Sequence, residues 1–125
     1  VDTDSVSTYP VLAAAVPDSV ATEARALIEA IRHADDPLLY RKQGAETVVR
    51  LTEVGLEAFF LAPVEQLGLG PVAASMVRLG LRTAGGAIAV FIRRIVAGLD
   101  AEQIRAVAEL VDARLLDLSV DDEEA

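Results

Sequence analysis

The stretch PVAASMVRLGLRTAGGAIAVFIRRIVA, residues 71–97, decides the fold. Pro71 presets the backbone angle of a first helical turn, and Gly98 follows where a helix would end. Between them Val77, Leu81, Ala84, Ile88, Phe91 and Ile95 recur at spacings of four and three, a heptad-like seam. The seam is too short for a long coiled coil and predicts packing against other helices of a small bundle. Gly80, Ala84 and Ala87 lie on or beside it and let a neighbouring backbone come close. Gly85-Gly86 is a weak point, because each glycine costs about 1 kcal/mol against alanine inside a helix. A kink or break is expected there.

The preceding stretch, Ala45 to Ala62, carries a second helix. Glu46, Arg50, Glu53 and Glu57 share one narrow face, while Val48, Val49, Leu51, Val54, Leu56, Phe59, Phe60 and Leu61 fill the rest. One polar stripe on so broad an apolar remainder predicts burial on several sides. Pro63 is expected to stop this helix, and Gly68, Gly70 and Pro71 to form the turn that follows. Upstream, Val20, Ala24, Leu27, Ile28 and Ile31 give a first helix from about Pro17 to Ala34. Asp36-Pro37 then restarts the chain, with the aspartate as cap and the proline at the first helical position. Downstream, Asp100 with Gln103 three residues later fits a capping box. It opens a fourth helix along Ile104, Val107, Ala108, Val111, Leu115 and Leu118.

No segment alternates apolar and polar residues in the manner of a strand. The reading is an all-α protein: an antiparallel bundle of four main helices over residues 17–118, expected to be dimeric. A flexible N-terminal arm, 1–16, precedes it, able to dock through the apolar patch Val11 to Val16, and an acidic tail, 119–125, follows. Within 125 residues, 53% hydrophobic, there is room for one core. The aromatic content is only 4%, so that core is built mainly of Ala, Val and Leu.

With no cysteine, neither a disulfide framework nor a thiolate metal site is available. The same absence fits a reducing compartment, and with no basic leader at the N-terminus the expected location is cytoplasmic. The uncharged runs Gln66 to Val77 and Thr83 to Ile92 are each shorter than the ~18 residues of a membrane span, so no transmembrane segment is expected. The net charge of -9 makes nucleic acid an unfavourable partner at long range.

That charge is unevenly spread. Residues 66–99 hold four arginines and no acid, for +4, and the remainder holds -13. On one helix Arg78, Arg82 and Arg93 fall within about 60° of one another. Planar guanidinium forks in a row suit a carboxylate, a phosphate or an acidic partner helix. Pairing with the acidic stripe of the second helix is the reading favoured over a ligand site.

Other constellations carry less. Gly68-Leu69-Gly70 echoes a dinucleotide-binding turn but lacks the preceding strand and the later acid, so it reads as a turn. His33 is the sole histidine, and it reads as a cation at a helix C-terminus in preference to a general base with Asp36 or Tyr40. The sequence has no Glu-x-x-His pair, and no metal or cofactor is expected.

The sequence therefore reads as a non-enzymatic interaction or scaffold protein that self-associates through its second and third helices. Phe59, Phe60, Val77, Leu81, Ala84, Ile88 and Phe91 are the expected interface, or the lining of an apolar cavity. The alternatives are a carrier for an apolar ligand with an acidic head group, held by Arg78, Arg82 and Arg93, and a small cofactor-independent enzyme.

Overall fold

The computed structural model describes residues 12–117. The far N-terminal arm and the acidic tail expected from the sequence lie outside the described residues. Five α-helices follow in order: α1 (Asp18–His33), α2 (Arg41–Leu56), the short α3 (Ala62–Gln66), α4 (Pro71–Ala97) and α5 (Ala101–Arg114). A 3-10 turn, Pro37–Tyr40, leads into α2, and a π-helical turn, Glu57–Leu61, joins α2 to α3. No strand occurs among the described residues, so the chain is all-helical, with α1, α2, α4 and α5 as its main helices.

The helix boundaries follow from local chemistry. Asp36 accepts the Leu38 backbone N–H at 3.2 Å, and Pro37 takes the first position of the 3-10 turn. At α5 the Asp100 carboxylate accepts the Gln103 N–H at 2.8 Å, while the Gln103 side chain accepts the Asp100 N–H at 2.9 Å. Both halves of the expected capping box are present. The last turn of α5 ends at Arg114, short of Leu118.

Pro63 does not stop the second helix. Proline lacks an N–H and crowds the carbonyl four residues back, here that of Phe59. The chain absorbs the conflict by widening one turn. The Ala62 N–H donates to Glu57 O, five residues back, and helix resumes through Gln66. The chain then reverses through Gly68 (φ +64) and Gly70 (φ +99) into α4. These left-handed angles require glycine. Gly85-Gly86 produces no break, and α4 runs unbroken from Pro71 to Ala97. Its own hydrogen-bond ladder and its packing on α2 outweigh the glycine penalty.

The core gathers at one end. Leu27, Ile28, Ile31, Ala45, Val96, Ile104 and Ala108 form its centre, with Tyr40, Ile92, Leu99 and Val111 packed against them. From α4 only the last two turns contribute. The rest of α4 packs on α2, the π-turn and α3. Arg93 meets Glu46, Gly85 lies beside Leu56, and Arg78 meets Glu65. This two-armed unit meets α1 and α5 through its core end, where Ala45 and Val96 join the shared cluster.

Two sequence expectations change here. The broad apolar circumference of the second helix is not buried within the chain: α2 fully buries only Ala45 and Val49. The inward row of α4 is also not the expected seam in full. Ala74, Ala89 and Val96 are buried, and Val77, Leu81, Gly85, Ile88 and Ile92 are half-buried. Ala84, Phe91 and Ile95 point outward. A straight helix drifts about 20° per heptad, so a strict seven-residue row cannot stay against one partner.

Candidate functional site

Two surfaces of α4 remain after the fold is built. The first is its outer face, opposite the row that packs on α2. Val72, Met76, Leu79 and Val90 stand there, from 73% exposed at Val72 to 52% at Val90, with the exposed Thr83 and Arg94 among them and Phe91 to one side. Only three of the 27 residues of α4 are buried. Phe59 and Phe60, carried by the π-turn, are exposed as well, as are Leu67 and Leu69 in the reversal. By length and composition α4 is the one helix among the described residues long and apolar enough to cross a membrane. The sequence reading weighed only uncharged runs. A stretch of α4 meets the measure of length and composition although four arginines, Arg78, Arg82, Arg93 and Arg94, lie along the whole helix.

The second surface is a cleft of about 580 Å³ between the two arms. Arg78, Arg82 and Arg93 all line it, so the structure brings the three together on one side of α4. Its apolar floor is Leu56, Leu61, Leu81 and Ala89, and Glu53 and Glu57 stand in the α2 wall. Gly85 and Gly86 form its shallow middle. A Cβ on Gly86 would meet nothing within 4 Å.

The arginines differ in their partners. Arg93 donates to both oxygens of Glu46, Nε at 2.7 Å and Nη2 at 2.9 Å. These bonds hold the Glu46 carboxyl below the usual carboxylate range and push Arg93 further up. Arg78 donates to Glu65 at 2.7 Å. Among the described residues Arg82, Glu53 and Glu57 make no ion pair. The cleft thus presents Arg82, Glu53 and Glu57 without an ion pair among the described residues, while Glu53 also acts at longer range on Arg93. Glu65 follows Pro63, where the sequence placed a loop, and so was missed as a partner for Arg78.

The remaining candidates serve the fold. His33 ends α1 with an exposed side chain, its Nε2 3.2 Å from Glu29 Oε1. Asp36 caps the 3-10 turn, and Tyr40 packs on the core. Arg50 joins Glu23 of α1 at 3.2 Å. Arg32 is a clamp that the sequence gave no reason to single out. It reaches Glu29 at 2.6 Å, Glu109 at 2.7 Å and Asp112 at 2.8 Å, tying α1 to α5. Its charge is reinforced first by Glu109, and Glu29 and Glu109 are both held below the usual carboxylate range by it. Ala15 and Pro17 line a shallow pocket with Val54, Ala58, Leu61 and Ala62, so the end of the N-terminal arm lies along the second helix. No group of three or more His, Asp or Glu poised for a metal occurs among the described residues.

Comparison with protein families, with curated proteins and with solved structures finds no match.

Proposed function

We propose that this chain is a helical self-association module, a homodimeric interaction or scaffold protein that joins copies of itself through α4 and the π-turn. One observation carries the reading: the row Val72, Met76, Leu79 and Val90 on α4, with Phe91 at its flank, lies exposed while the opposite face packs on α2. Apolar rows of this extent on a protein surface mark interfaces. A two-helix arm is half of an antiparallel four-helix bundle, and a second arm supplies the missing half. Nothing in this role calls for catalysis.

Light scattering across a dilution series tests the reading. A dimer is the expected species at micromolar concentration, and Phe91→Ser combined with Met76→Ser should convert it to monomer with unchanged helicity. A wild-type chain that stays monomeric throughout overturns it.

The cleft favours a second reading, a carrier for an apolar ligand with an acidic head group. Leu56, Leu61 and Leu81 would receive the apolar part and Arg82 the acid. Glu53 and Glu57 in the wall weigh against an anion. Native mass spectrometry of the purified protein decides, since a carrier should retain added mass.

A further inference from the structure

The geometry points to a specific register for the self-association proposed above, on which it rests: a two-fold axis at Gly86, across which Arg82 of each copy pairs with Glu53 of the other. The first ground is unspent charge. Arg82 on one wall of the cleft and Glu53 on the other have no ion pair among the described residues, although Arg78 and Arg93 beside them each have one. A self-complementary face needs both signs on the same surface, because under a two-fold each residue that reaches across is reached in return.

The second ground is space. Glycine in mid-helix costs about 1 kcal/mol against alanine, and a penalty of this size needs a reason. Gly86 has no positive φ and no neighbour within 4 Å of its missing side chain. Nothing within the chain therefore requires glycine at 86; the same holds at Gly44, Gly55 and Gly80, and of these four Gly86 is the one that lines the cleft. A second backbone crossing at Gly86 would require it.

The third ground is level. The contacts Glu46–Arg93, Leu56–Gly85 and Glu65–Arg78 run in opposite senses along the two arms, which sets Glu53 near the height of residue 88 on α4. Arg82 stands four residues before Gly86, about 6 Å along the helix axis. An antiparallel two-fold at Gly86 carries the second copy's Arg82 about 6 Å past the axis, to the height of Val90. That is within about 3 Å of the height of Glu53 across the cleft. In the antiparallel register Leu79 and Val90 flank the crossing, so the charge pair borders the apolar row.

Charge reversal tests the register. Arg82→Glu and Glu53→Arg are made separately in the full chain, with far-UV circular dichroism to show that each folds. Each variant alone should weaken the dimer about tenfold in Kd. Mixing the two should restore association, with the mixed dimer dominant in native mass spectrometry. A wild-type dimer indifferent to both reversals, or a mixture that shows no preference for the mixed species, overturns the register while self-association stands. A wild-type monomer overturns both.

Discussion

Arg93 of α4 grips Glu46 of α2 with two parallel hydrogen bonds, at 2.7 and 2.9 Å, across 47 residues of sequence. It is a fork-to-fork pair near the core end of the two-armed unit, and Arg78–Glu65 repeats the logic near the reversal. Together they fix how the arms lie against each other along a cleft that is otherwise open.

Acid should loosen the molecule through three depressed carboxylates: Glu46 on Arg93, and Glu29 and Glu109 on Arg32. Each has a folded pKa below its unfolded value. Each therefore contributes stability that is present above the ordinary pKa of 4.5 and is lost as pH falls through the lower folded value. Urea midpoints should hold from pH 7 to about 5 and fall below pH 4. In Glu46→Gln the acid-dependent part of the fall should shrink. A midpoint independent of pH down to 3 would refute the assignment.

Gly86→Ala should stabilise the isolated fold by about 0.5–1 kcal/mol, since alanine has the higher helix propensity and its Cβ enters open space. Gly70→Ala should do the reverse, because φ +99 strains any residue with a side chain. Chemical denaturation of the two variants at a dilution where the chain is monomeric reads the difference in sign, and equal signs there would contradict the backbone described.

Ile104→Ala removes a side chain from the core cluster and should cost about 2–5 kcal/mol. Phe91→Ser is larger in volume, yet Phe91 is 62% exposed, so within one copy the cost should stay within about 0.5 kcal/mol. Unfolding at high dilution separates the two. A large loss from Phe91→Ser under those conditions would show that its face is covered within a single chain.

Asp100→Ala abolishes the capping box and should cost about 1 kcal/mol. Amide exchange in the first turn of α5 should rise first, with α1 and α2 less affected. Unchanged protection at Gln103 would show that the cap is idle.

The all-helical fold, the Asp36-Pro37 restart and the Asp100–Gln103 cap were legible in the sequence, because caps and periods act within a few residues. The inward face of α4 was only half legible. Val77, Leu81 and Ile88 turn inward as spaced, and Phe91 does not. Spacing names a row, and the choice between two adjacent rows depends on which one α2 meets. Pro63 misled because a lost hydrogen bond can end a helix or be absorbed by a widened turn; here the π-turn and α3 both lie against α4.

The arginine row was visible in the sequence as an acid-free, four-arginine segment, and nothing more than angles on one helix was needed to place Arg78, Arg82 and Arg93 together. Which of them is spent was decided only by the tertiary structure. Glu46 lies 47 residues from its arginine and Glu65 lies 13 from its own, and no local rule sets those distances. By the same route Arg82, Glu53 and Glu57 have no ion pair among the described residues. Composition and period determine what a helix can present, but charge is neutralised in space, and only packing brings two walls within reach.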